Sequence, residues 1–98
     1  MKVAFRRPAA NELRAAMQWY ERQRAGLGAE FAAEIEVVVE TIGTTPKICQ
    51  VIDPDRQIRR ALTRRFPYAV YYLLEPTRVV VLAVLHVARD PGVWQERP

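Results

Sequence analysis

The chain is poor in the residues from which small domains build cross-links. Cys49 is the only cysteine and His86 the only histidine in 98 residues, which excludes an internal disulfide and a Cys/His zinc site. A lone thiol fits a reducing, cytoplasmic setting, and nothing near Cys49 except Lys47 argues for an activated thiolate. Lysine is equally scarce, with Lys2 and Lys47 the only two. Long apolar runs are missing too. The run from Val79 to Leu85 is seven residues, far short of the roughly 20 that cross a bilayer as a helix. Met1 is followed by a short mixed segment, so no signal peptide is expected. No metal, cofactor or membrane is anticipated.

What is present describes one small domain, residues 1–98, with 50% hydrophobic and 27% charged residues and a formal charge of +4. A chain this short buries only about 60 to 65% of its unfolded surface, so a bound partner is the open route to added stability. The charge is unevenly placed. Residues 1–55 hold seven basic and eight acidic side chains, whereas residues 56–98 hold eight arginines and three acids. Between Arg56 and Leu74 there are five arginines and no acid, which is where a polyanion or acidic partner is expected.

Periodicity orders the chain. Lys2 to Phe5 alternates and reads as a strand ended by Arg6-Arg7-Pro8. Pro8 suits a first helical turn, and Leu13, Ala16, Met17 and Tyr20 recur at helical spacing, predicting a helix over about residues 8–24. After Gly26 and Gly28, residues Leu27, Phe31, Ile35, Val38 and Ile42 predict a second helix, stopped at Gly43 with Pro46 just beyond. The short connection implies an antiparallel helical hairpin. Past Pro46 the period becomes two. Ile58, Arg60, Leu62 and Arg64 share one side of a partly exposed strand, at the edge or open face of a sheet, and Arg59, Ala61, Thr63 and Arg65 share the other. Phe66-Pro67 breaks it. Tyr68 to Leu74 is a second strand of this half, Glu75-Pro76-Thr77 a turn, and Val79 to Val87 a buried, central strand. The fold class is α+β, β-α-α-β-β-β, with a helical hairpin packed on a small, largely antiparallel sheet.

These residues resemble a known family. The element order, together with Arg64-Arg65-Phe66-Pro67-Tyr68-Ala69-Val70-Tyr71-Tyr72 and Val81-Leu82-Ala83-Val84-Leu85-His86-Val87-Ala88-Arg89-Asp90-Pro91, is similar to the RelE/ParE superfamily of toxins from type II toxin–antitoxin modules. Leu13 followed by Trp19-Tyr20 and the helix running to Pro46 add to the likeness, which covers nearly the whole chain. The resemblance implies a cytoplasmic growth inhibitor silenced by a cognate antitoxin whose C-terminal segment wraps it. Operator DNA would be met only indirectly, through the antitoxin. It leaves two targets open, because RelE-like members cut messenger RNA in the ribosome while ParE-like members poison DNA gyrase without catalysis of their own.

Metal-independent RNA cleavage needs a base for the 2′-hydroxyl, cations on the phosphate and a proton donor for the leaving oxygen. Arginine supplies only the second. By the resemblance, Arg64 and Arg89 match phosphate-binding positions of nuclease members, and Trp94 stands about where those members carry a C-terminal tyrosine. Tryptophan has no ionisable proton; it can stack on a base but not act as acid or base. His86 is the best proton-transfer candidate by its ordinary pKa, although a histidine at the end of a buried strand is more often packed than catalytic. Glu75 reads as a turn residue. The leading expectation is a ParE-like toxin that binds its target, DNA gyrase, through Arg59, Arg60, Arg64, Arg65, Arg89 and Trp94, with the segment Arg89 to Pro98 presented to it. The alternative is a RelE-like ribonuclease acting on ribosome and mRNA with Arg64, Arg65 and Arg89 on phosphate and His86 moving protons. Trp19, Tyr20, Leu27 and Phe31, around the helical hairpin, are the candidate antitoxin contacts, with Trp19 expected at the edge of the buried stripe.

Overall fold

The computed structural model describes residues 1–90 and 92–98; Pro91, the last residue of the second motif, lies outside them. The elements are β1 (Lys2–Phe5), α1 (Arg7–Gln23), α2 (Leu27–Thr44), β2 (Gln50–Asp53), β3 (Ile58–Leu62), β4 (Tyr68–Leu74), β5 (Arg78–His86) and a closing 3-10 turn, Val93–Glu96. The strands lie in the order β1-β5-β4-β3-β2, with β1 parallel to β5 and the other neighbours antiparallel.

The hairpin forms for local reasons. Pro8 occupies the first turn of α1, where its missing N–H costs nothing. Gly26 turns the chain at φ 89°, a left-handed conformation that favours glycine. The Glu21 carboxylate accepts the N–H groups of Gly26 and Gly28 at 2.9 to 3.1 Å, placing a negative charge at the N-terminal end of α2, where the helix dipole favours it. Gly28 is where the helices approach most closely: a Cβ there would stand 2.6 Å from the Met17 carbonyl oxygen.

Two apolar layers hold the sheet. On the helix side, the rings of Tyr20, Phe31, Phe66 and Tyr68 form a cluster, with Tyr20–Phe66 centroids 4.7 Å and Phe31–Tyr68 centroids 5.0 Å apart, within the range for favourable edge-to-face contacts. On the far side, Ile58, Tyr71, Val80, Leu82 and Leu85 are covered by Trp94 of the closing turn. Strand β5 contributes to both layers, as a continuous apolar run must. It lies between β1 and β4, internal to the sheet but second in the order; the central place expected for it belongs to β4.

Three further sequence expectations change. An additional strand, β2, pairs outside β3 with Gln50 opposite Arg60 and Val51 opposite Arg59, so the basic strand is not the sheet edge along its whole length and the order becomes β-α-α-β-β-β-β. That strand also stops at Leu62 rather than continuing through Arg65. The Thr63 hydroxyl sits 2.6 Å from the Phe66 carbonyl oxygen and 3.1 Å from that of Tyr68, closing a turn that carries Arg64 and Arg65. Finally, Gly43 is inside α2, not past its end. It is buried, and a Cβ there would meet Met1 O at 3.0 Å and Val3 Cγ2 at 3.2 Å, so this glycine makes room for β1.

Candidate functional site

The arginine cluster divides on inspection of its partners. Arg59 reaches back from β3 and donates from Nη1 to the carbonyls of Lys47 and Cys49 at 3.0 and 2.7 Å, satisfying the loop between α2 and β2. Arg65 is an ion-pair hub. Its Nε lies 2.7 Å from Glu34 and its Nη1 3.1 Å from Glu30, which also pairs with Arg24 at 3.0 Å. Glu34 further accepts the backbone N–H groups of Arg64 and Arg65. Burial pulls the Glu34 carboxyl upward, but the Arg65 guanidinium and these two N–H groups outweigh it and hold the acid below its ordinary range. Hydrogen bonds from Arg65 and then Arg24 lower Glu30 likewise, and the two carboxylates raise Arg65. The stretch from Arg56 to Leu74 has no acid of its own, yet α2 supplies two across the fold.

Arg60 and Arg64 are different. They line a cleft of about 330 Å³ between α2 and the end of β3, together with Val37, Val38, Ala61 and Leu62. Neither guanidinium has a hydrogen-bond or ion-pair partner among the described residues.

A second, larger opening of about 530 Å³ lies between α1 and the exit of β5, walled by Trp19, Arg22, Tyr68 and Arg89, with Glu12 and Asp90 also present. Trp19 is 41% exposed, and the Arg89 guanidinium carbon is 5.8 Å from its ring centroid, within cation–π range. The candidate antitoxin contacts therefore separate. Trp19 faces solvent at this cleft and Leu27 is half-buried. Tyr20 and Phe31 are buried in the aromatic cluster, their rings packed on Phe66, as most residues of an aromatic stripe at helical spacing are.

His86 lies at the end of β5, half-buried, with its ring edge against Tyr68 at a centroid distance of 5.5 Å. Its Nδ1 accepts the N–H groups of Ala88 and Arg89 at 3.1 and 3.2 Å. This places the neutral ring's proton on Nε2 and makes the side chain a cap for the turn after the strand. The tyrosines of the region are acids of the wrong strength for neutral chemistry: burial, chiefly, raises Tyr20 and Tyr68 above the ordinary phenol value. Glu75 pairs with Arg78 at 2.7 Å within its turn.

Trp94 is also corrected. It is 7% exposed and stacks on Tyr71, rings 5.6 Å apart and 11° from parallel, so it is packing material for the far layer rather than a platform for a base. The expectation that the segment from Arg89 to Pro98 is wholly presented to a target changes with it. Arg97, which sequence reasoning passed over, holds Glu12 with two hydrogen bonds and reaches the Leu82 carbonyl at 3.0 Å. Glu12 also accepts the Val84 N–H at 3.0 Å. Arg56 donates to the carbonyls of Gln95 and Arg97. A contact between Glu12 and Arg97 spans nearly the full chain, and local spacing carries no signal for it.

Comparison with known proteins agrees with this architecture. Six chains of solved structures match. One, described as the chromosomal ParDE toxin–antitoxin system from P. aeruginosa, superimposes with a TM-score of 0.75 at 15% identity, covering 88% of this chain and 95% of that one. No curated protein matches. The model of the family described as ParE toxin of type II toxin–antitoxin system, parDE, matches residues 3–91. That match takes in the hairpin, all five strands and the turn beyond β5, and the chain accordingly belongs to the ParE toxin family of type II toxin–antitoxin systems.

Proposed function

We propose that this chain is a cytoplasmic toxin that inhibits growth by binding its target, DNA gyrase, and that a cognate antitoxin neutralises it by covering its surface. The observation that carries this reading is the engagement of His86 and Arg65, two of the four side chains the ribonuclease alternative would use. His86 Nδ1 accepts two backbone N–H groups, Arg65 is held by Glu30 and Glu34, and Trp94, which stacks on Tyr71, brings no proton to transfer. What remains available is suited to binding: Arg60 and Arg64 beside an apolar cleft, and Arg89 with Trp19 beside a second one. Phosphate-binding arginines without an acid–base pair bind polyanions or carboxylates and do not cleave.

The test is toxicity set against message integrity. On induction in cells, growth arrest is expected with His86→Ala as with the parent chain, and message translated on purified ribosomes is expected to stay whole in the presence of either. Message cut by the parent chain and spared by His86→Ala would establish the RelE-like ribonuclease reading in its place.

A further inference from the structure

Strand β5 outruns β1. Their parallel pairing ends at Phe5 opposite Val81, and the chain leaves β1 as the Arg6 N–H reaches the Val81 carbonyl at 2.9 Å. The rest of β5, Leu82 to His86, has a strand, β4, on one side only. On the open side two side chains stand in for the missing strand. Arg97 Nη1 donates to the Leu82 carbonyl at 3.0 Å and Glu12 Oε1 accepts the Val84 N–H at 3.0 Å, and the two side chains are themselves joined as an ion pair. The next two edge groups are left uncovered. On β4, Tyr68 turns its carbonyl to the Thr63 N–H, away from its β5 neighbour His86, while Val87 donates to Pro67. By the alternation of an antiparallel ladder, the Val84 C=O and the His86 N–H face the open side, with no loop or side-chain partner among the described residues. An uncovered strand end of this kind is a template for another strand.

Val84 and Leu85 line the opening of about 530 Å³, whose other walls are α1, through Ala15, Trp19 and Arg22, and the closing turn, through Val93. Trp19 is an anchor already held in place: its ring stands edge-on to Tyr20 at 5.1 Å and carries the Arg89 guanidinium on its face, so it loses little freedom when a partner arrives. Val93 is 36% exposed beside it. Arg22 and Arg89 make no ion pair among the described residues. Of the two acids in this opening, Glu12 is held by Arg97 and the Val84 N–H, which leaves Asp90 alone against two cations.

We propose that the target, DNA gyrase in the reading above, lays an extended acidic segment in this cleft. Its backbone bridges the Val84 C=O and the His86 N–H, continuing the edge that Glu12 and Arg97 begin to cover, its carboxylates meet Arg22 and Arg89, and an apolar side chain packs on Trp19 and Val93. This rests on the toxin reading. Among the side chains expected from the sequence to meet the target, Arg59, Arg65 and Trp94 are engaged within the fold, whereas Arg89 stands at an open strand edge. Charge and edge together select the occupant. A second copy of this chain on the same edge would bring its own Arg22 and Arg89 against the first pair. A nucleic acid supplies anions but no N–H and C=O spaced as a strand's for the edge. An acidic polypeptide segment supplies both.

The experiment uses the full chain with purified gyrase and relaxed plasmid. The concentration that halves supercoiling is compared for the parent, Trp19→Ala, Arg22→Glu, Arg89→Glu and Asp90→Asn, and hydrogen exchange at the His86 amide is followed with and without saturating gyrase. The first three variants are expected to need about tenfold or more of the parent's concentration, Asp90→Asn to need less than the parent, and the His86 amide to slow its exchange in the complex. An unchanged melting temperature of each variant alone shows that folding is intact; Trp19→Leu and Arg89→Gln serve where the first choice does not fold. Parent-like inhibition by the first three, or a His86 amide unchanged by gyrase, overturns the inference while leaving the toxin reading standing. So does weaker inhibition by Asp90→Asn, which makes the occupant basic. Retardation of plasmid by the chain alone, lost in Arg22→Glu, makes nucleic acid the occupant, and a dimer of the chain alone that Trp19→Ala converts to monomer makes it a second copy; either overturns the inference. No inhibition by the folded parent overturns the toxin reading, and this inference with it.

Discussion

The Arg97 guanidinium lies against the Glu12 carboxylate with Nη2 2.7 Å from Oε2 and Nη1 2.8 Å from Oε1. The pair joins the end of the chain to α1, and Glu12 in turn accepts the Val84 N–H of β5. Both side chains are about one-fifth exposed, so a lone Glu12 left there would lack the partner that offsets its desolvation. Arg97→Ala is expected to cost about 1–3 kcal/mol of folding stability by urea unfolding, with Arg97→Lys intermediate because an ammonium cannot form the paired bonds. Equal midpoints for parent and Arg97→Ala would show that the latch contributes nothing.

The Arg65 network makes a pH prediction. Glu30 and Glu34 both titrate below their ordinary value of 4.5 in the folded chain. Their stabilising effect is therefore fully present above the unfolded-state value and is lost as pH falls through the lower, folded-state values. The melting temperature of the parent is expected to drop more steeply as pH falls below about 5 than that of Glu34→Gln. Parallel curves would remove the network from the account of acid stability.

Gly28 sits where α1 and α2 touch. With a Cβ only 2.6 Å from the Met17 carbonyl oxygen, a methyl group meets backbone that cannot rotate away. Gly28→Ala is expected to destabilise by about 1–3 kcal/mol, even though alanine is the better helix former. A neutral or stabilising effect in thermal unfolding would mean that the hairpin opens at little cost.

Much of the scaffold was legible because it is written in local periodicity. Leu13, Met17 and Tyr20 marked α1, and the apolar run from Val79 to Leu85 marked a strand buried on both faces, though not its place beside β1 rather than at the centre of the sheet, since burial leaves a repeat in the sequence. What escaped is what depends on distance along the chain. Gln50–Asp53 is only four residues and takes its identity as a strand from pairing with Arg59 and Arg60. Arg65 looked unneutralised because Glu30 and Glu34 are more than 30 residues away. Trp94 looked available because the Tyr71 beneath it is invisible to spacing. Trp19, by contrast, was placed at the edge of the buried stripe by helical geometry alone, and it is exposed there.

Trp94 offers a test of the binding-only reading at the position where nuclease relatives are expected to carry a phenol. Trp94→Tyr is expected to leave translated message uncut, because the side chain here stacks on Tyr71 in the far layer. Trp94→Ala is expected to destabilise by about 3–5 kcal/mol and to lose toxicity through unfolding. Message cleavage gained by Trp94→Tyr would show that the site lacks only its acid.

The central claim is that the chain acts by binding gyrase and that the antitoxin prevents it. Supercoiling of relaxed plasmid by purified gyrase measures this directly. The account predicts that the chain inhibits supercoiling in proportion to its concentration and that prior addition of the antitoxin restores it. Supercoiling that proceeds unchanged with the folded chain in large excess would contradict it.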